Sequence, residues 1–182
     1  ASDEALVDYL GDANSWFRRN GQRLLLERNN KSSIPVLEKM VRQGTSEYGR
    51  LHAAWTLEGM EALSPEIVLV MLKDPVAGVR ENGILLSEAF LEVPEILDAL
   101  IDLQSDENAR VRFQLLCTLG DIDSPPVNAA RNNLLLADIG DPWFQIAALS
   151  ALNPETEKLL EECITHFSRD PEAYQELIRR IV

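Results

Sequence analysis

Asp74 to Ala89 reads DPVAGVRENGILLSEA. An aspartate opens it, Arg80 follows six residues later, and Gly83 follows nine residues after the start. Four other stretches repeat this layout: DANSWFRRNGQRLLLE from Asp12, GTSEYGRLHAAWTLEG from Gly44, DENARVRFQLLCTLGD from Asp106 and DIGDPWFQIAALSALN from Asp138. Their starts lie 32, 30, 32 and 32 residues apart. The arginine column holds Arg18, Arg50, Arg80 and Arg112, with Phe144 in the fifth stretch; the small-residue column holds Gly21, Ala53, Gly83 and Ala147, with Leu115 as its exception. Agreement in three columns at a fixed period is the signature of a tandem repeat.

Each unit reads as two helices. In the first, apolar residues recur three and four apart, as in Leu51, Ala54 and Trp55 or Val111, Leu115, Leu116 and Leu119, which is helical spacing. The second begins after a turn and often a proline, as in SSIPVLEKMV, LSPEIVLVML, VPEILDALIDL and NPETEKLLEECITHF. Proline suits the first helical residue, whose N–H has no intrahelical partner. Ser64-Pro65, Asp74-Pro75, Asp141-Pro142, Asn153-Pro154 and Asp170-Pro171 therefore read as a cap followed by a helix start. No alternating run long enough for a strand occurs, so the expected fold is all-α.

A two-helix unit of this length cannot bury its apolar face alone, so neighbouring units are expected to stack. The expected architecture is one α-solenoid domain over 1–182, with about five two-helix units near 11–43, 44–73, 74–105, 106–137 and 138–170 and a C-terminal helix. Small residues in the ninth position allow helices to approach closely. Asp12, Arg18, Arg50, Asp74, Arg80, Asp106 and Arg112 form a structural ladder, in which each guanidinium satisfies turn carbonyls or an aspartate of its own or the next unit. Guanidinium suits this task as a planar, permanently charged group with several donors.

The period and the Asp–x5–Arg spacing resemble HEAT repeats of the bacterial HEAT-like kind across 11–170. The phrases GDANSWFRRNGQRLLLER, RLHAAWTLEGM, DPVAGVRENGILLSE and ARVRFQLLCTLGD resemble the HEAT-like segment of large secreted bacterial proteins labelled membrane-bound dehydrogenases. In that family a sugar-dehydrogenase-like β-propeller precedes the repeats and a c-type cytochrome domain with a CxxCH haem site follows them. The resemblance implies a periplasmic or otherwise extracytoplasmic scaffold whose partners are those flanking domains. The start at Ala1 and the end within YQELIRRIV fit a segment excised from a longer protein.

Composition narrows the function. The 182-residue chain is 46% hydrophobic and 26% charged, with a net charge of −13 from 30 acidic and 17 basic residues. Its basic residues are scattered apart from Arg18-Arg19 and Arg179-Arg180, so binding to nucleic acid or an anionic membrane surface is disfavoured. No apolar run suffices for a membrane span. The acidic opening ASDEALVDYLGD lacks the basic and apolar regions of a signal peptide.

Catalytic and cofactor patterns are sparse. The chain has no CxxCH, G-x-S-x-G, HExxH or Walker-type loop and no glycine-rich cofactor loop, so it is expected to be non-enzymatic, with no cofactor and no metal. His52 has only Tyr48 among possible ligands one turn away, short of what zinc requires. Cys163 and His166 share a helical face but lack a partner pair for a metal and an orienting third group for catalysis. Cys117 and Cys163 read as buried thiols in apolar helical windows. The acidic run ETEKLLEE reads as a solvated helix face.

The candidate interface therefore consists of polar or aromatic positions on first helices: Trp16, Arg19, His52, Trp55, Glu58 and Trp143. Trp16 and Trp143 either anchor seams between units or serve as exposed contacts for a partner, since Trp and Arg are enriched at interfaces. Two other function classes compete: a HEAT-like bilin lyase, whose own signatures are absent, and a HEAT-like DNA glycosylase, which the negative charge opposes. A stand-alone protein-binding adaptor is the further alternative.

Overall fold

The computed structural model describes residues 1–151 and 156–181, and among these the chain is all helical, with no strand. The helices are α1 (Asp3–Tyr9), α2 (Ser15–Arg28), α3 (Ile34–Gln43), α4 (Glu47–Gly59), α5 (Pro65–Leu72), α6 (Ala77–Ser87), α7 (Pro94–Asp102), α8 (Ala109–Thr118), α9 (Pro125–Ala137), α10 (Pro142–Ser150), α11 (Thr156–His166) and α12 (Pro171–Ile181). Short 3-10 turns extend several of their ends. Two compact units divide the chain, Ala1–Leu97 and Asp98–Val182.

In the first unit, α1 packs along α2, α3 along α4 and α5 along α6, while α2, α4 and α6 meet in succession. The closest helix pairs thus join the second helix of one motif to the first helix of the next. The small-residue column explains this pairing. A Cβ on Gly83 would stand 3.0 Å from Met71 Cβ and 3.2 Å from the Leu72 nitrogen, and one on Gly21 would stand 3.0 Å from the Leu6 carbonyl oxygen. Glycine in both places lets the first helix lie directly on its predecessor's backbone. Leu6, Leu25, Leu37, Leu57, Ile67, Met71 and Ile84 fill the core between the layers, each fully buried. Each such side chain contributes about 1.5–3 kcal/mol of hydrophobic stabilisation.

In the second unit, α8 packs against α9 and α10, α9 against α10, and α11 against α12. Its core contains Val111, Leu115, Leu116, Val127, Leu134, Phe144, Leu159 and Leu177. Cys163 belongs to this core, but Cys117 is exposed, contrary to the expectation of two buried thiols. The apolar window around Cys117 is real, yet the residue lies exposed on α8, next after the buried Leu115 and Leu116. Neither cysteine is in a disulfide.

The helix starts refine the motif alignment. Asn14, Ser46, Asn108 and Asp141 cap α2, α4, α8 and α10, each accepting a backbone N–H from its own first turn. Pro65, Pro142 and Pro171 open their helices. Pro75 does not: α6 begins at Ala77 behind Val76, and Asp74 instead accepts the Val76 N–H at 2.8 Å. The Asn153-Pro154 signal lies outside the described residues. The cap of α10 stands one residue later than alignment from Asp138 implies. Phe144 accordingly joins the buried apolar column of Val79 and Val111, and Ala148, also buried, takes the place expected of Ala147.

Candidate functional site

The arginine column builds a repeated geometry. Arg18, Arg50, Arg80 and Arg112 each donate from Nη1 to the carbonyl six residues back, those of Asp12, Gly44, Asp74 and Asp106, at 2.7, 2.9, 2.9 and 2.7 Å. Each guanidinium thus ties a carbonyl of the turn before a first helix to that helix. Gln145 occupies the same place in the fifth motif, donating from Nε2 to the Ile139 carbonyl at 2.8 Å. It is buried and also accepts from Arg180 Nε at 3.1 Å. The ladder residue of that motif is therefore Gln145 rather than Phe144.

Arg50 and Arg112 also reach an aspartate at the start of the next motif. Arg50 grips Asp74 with Nε and Nη2 at 2.6 and 2.8 Å, and Arg112 grips Asp138 in the same way at 2.8 and 2.7 Å. Parallel N–H donors matched to two carboxylate oxygens make these charge-assisted pairs both strong and directional. The Asp138 contact, with some help from Asp106, holds the Arg112 guanidinium above its ordinary proton affinity despite its partial burial. For Arg18, the residue at the next motif's start is Gly44 rather than an aspartate. Its guanidinium carbon lies 4.3 Å from the Tyr48 ring centroid, and its buried Nε has no hydrogen-bond partner. Stacking on the ring supplies attraction there instead of a carboxylate.

The residues expected to form an interface fall into two groups. His52 and Trp55 link neighbouring first helices. His52 Nδ1 is 2.7 Å from Gln22 Oε1 on α2, and Trp55 Nε1 donates to Asn82 Oδ1 on α6 at 2.9 Å. Burial, aided by the nearby Arg18 charge, lowers the His52 pKa, so the ring is neutral and donates its Nδ1 proton to Gln22. The other group faces solvent. Trp16 is 58% and Trp143 67% exposed, and Arg19 and Glu58 are exposed as well. Trp16 packs edge-on against Phe17, which also contacts Tyr9. Trp16 and Arg19 share one face of α2.

A buried polar cluster in the second unit has no counterpart in the repeat columns. Arg131, only 5% exposed, donates to the Gly120 carbonyl at 2.8 Å and to Asn128 Oδ1 at 2.8 Å, and Asn128 in turn reaches Asp123. Burial lowers the Arg131 pKa, while the Asp123 charge opposes the shift. The cluster caps the carbonyl end of the turn after α8. Its only sequence signal is an arginine set four residues from Val127 on a buried helix face.

Cys163 is buried and His166 half-buried on α11, and among the described residues no group of three His, Cys, Asp or Glu is placed to hold a metal ion. No helix among them is long and apolar enough to cross a membrane. The polar groups brought together are donors satisfying carbonyls and carboxylates, an arrangement that fixes helices relative to one another. Comparison with models of protein families, with curated proteins and with solved structures finds no match to this chain.

Proposed function

We propose that the chain is a non-catalytic α-solenoid scaffold of HEAT-like repeats that binds protein partners. The observation that carries this reading is the arginine column. The same guanidinium geometry recurs in four motifs and is spent on backbone carbonyls and aspartates, which is what stacking requires of a repeated residue. Its partners are the flanking domains of a secreted oxidoreductase, a sugar-dehydrogenase-like propeller and a c-type cytochrome domain, and its setting is periplasmic or otherwise extracytoplasmic. The resemblance of RLHAAWTLEGM and its companion phrases supports that placement. The exposed Trp16, Arg19 and Trp143 supply side chains of the kind that dominate protein interfaces, and Glu58 is exposed as well.

The reading is tested by assaying the purified chain for sugar oxidation with an artificial electron acceptor and for a haem Soret band after reconstitution. The expected result is neither activity nor stoichiometric haem. Turnover or haem binding by the chain alone overturns the scaffold assignment.

A further inference from the structure

Within each unit successive first helices meet along seams, and the seam between α8 and α10 is built differently from those of the first unit. Between α4 and α6, Trp55 bonds to Asn82; between α2 and α4, His52 bonds to Gln22. Counted from the capping residues Ser46, Val76, Asn108 and Asp141, Trp55 corresponds to Cys117, and both His52 and Asn82 correspond to Ala147. The α8–α10 seam thus carries a thiol and a methyl group where α4 and α6 carry an indole and an amide. A groove of ≈ 330 Å³ opens there, lined by Phe113, Cys117, Trp143, Ile146 and Ala147. Trp143 and Ile146 are 67% and 42% exposed along it.

We infer that this groove seats one large apolar side chain, aromatic or leucine, from a partner protein segment that carries lysine or arginine beside it. The inference rests on the scaffold reading and commits it to one seam. Shape argues for the anchor: the place is one that an indole fills between α4 and α6, and a volume at the small end of ligand pockets suits a single side chain. Charge argues for the basic flank. Asp121 is the charged residue of the lining, Asp141 caps α10 directly beneath Trp143, and the chain as a whole carries a net charge of −13. Complementary charge guides such a segment in and sets its specificity.

The test uses the full chain and short fluorescein-labelled peptides with a central tryptophan or leucine flanked by lysines, read by fluorescence anisotropy. The controls exchange the lysines for glutamates or the central residue for alanine. Expected is a Kd on the order of 10–100 µM for the lysine peptides, at least roughly tenfold weaker for either control. The double variant Cys117→Trp/Ala147→Asn rebuilds the indole–amide pair and is expected to lose binding while still melting cooperatively. Trp143→Ala, at an exposed position, is expected to lose binding whether or not the filled variant folds. The inference is overturned by equal binding of lysine and glutamate peptides, by unchanged binding in Trp143→Ala, or by no binding below about 1 mM. Self-association by sedimentation that the filled groove abolishes assigns the groove to a second copy instead and also overturns it. Saturable binding of free indole with no preference among peptides does the same. These outcomes are separate from binding to the flanking domains, on which the scaffold reading stands or falls.

Discussion

Replacing Asp74 by alanine removes a ladder carboxylate that accepts three hydrogen bonds. Its side chain, 6% exposed, accepts two bonds from Arg50 and one from the Val76 backbone N–H. Arg50 is itself 11% exposed and keeps only its bond to the Gly44 carbonyl after the change. Breaking a buried pair from one side costs about 3–5 kcal/mol, because the remaining charge is left desolvated. The residual solvent contact of Arg50 and its surviving carbonyl bond place Asp74→Ala at the lower end, about 3 kcal/mol. Asp74→Asn retains the turn to Val76 and one guanidinium contact and is expected to lose about 1–1.5 kcal/mol. Urea unfolding followed by far-ultraviolet circular dichroism measures both. A cycle with Arg50→Met isolates the pair: the double variant is expected to be more stable than Asp74→Ala alone, with a coupling energy of about 2 kcal/mol. A loss below about 0.5 kcal/mol for Asp74→Ala, or no coupling, refutes the claim that the arginine column fastens successive motifs.

Other expectations follow from the same contacts. His52 is held neutral, so between its lowered native pKa and its ordinary value near 6.5 the unfolded chain binds more protons than the native one. Stability is therefore expected to fall as pH drops below 6.5, and His52→Gln to flatten that slope; parallel melting curves for the two proteins from neutral pH into this range contradict it. Gly83→Ala forces a methyl group to within 3.0 Å of Met71 Cβ and is expected to cost about 1–3 kcal/mol in thermal or urea unfolding. Gly78→Ala, with nothing within 4 Å of the new carbon, is expected to stabilise by about 0.5–1 kcal/mol through helix propensity.

Local signals were the legible part of the sequence. Apolar spacing, caps and prolines marked most helices, and the arginine and glycine columns marked where backbones would need donors or close approach. The fifth motif shows where such reading fails. Asp74 both receives Arg50 and turns the chain into α6, so one residue marks two functions. In the fifth motif these separate: Asp138 receives Arg112, while Asp141 caps α10. An alignment anchored on Asp138 then places every later column one residue early and hides Gln145. The bonds His52–Gln22 and Trp55–Asn82 were not legible because their partners lie 30 and 27 residues away and do not repeat as residue types. Arg131 was missed because an arginine within VNAARNNLLLA reads as solvated until its carbonyl partners are seen.

The scaffold assignment meets its most direct test in calorimetric titration of the chain into separately purified domains of the two kinds proposed as its partners, a sugar-dehydrogenase-like propeller and a c-type cytochrome. The account predicts saturable binding to at least one of them, weakened roughly tenfold or more by Trp16→Ala or Trp143→Ala with the melting temperature unchanged. Absence of heat and of complex with both domains, in a chain shown by circular dichroism to be folded, contradicts it.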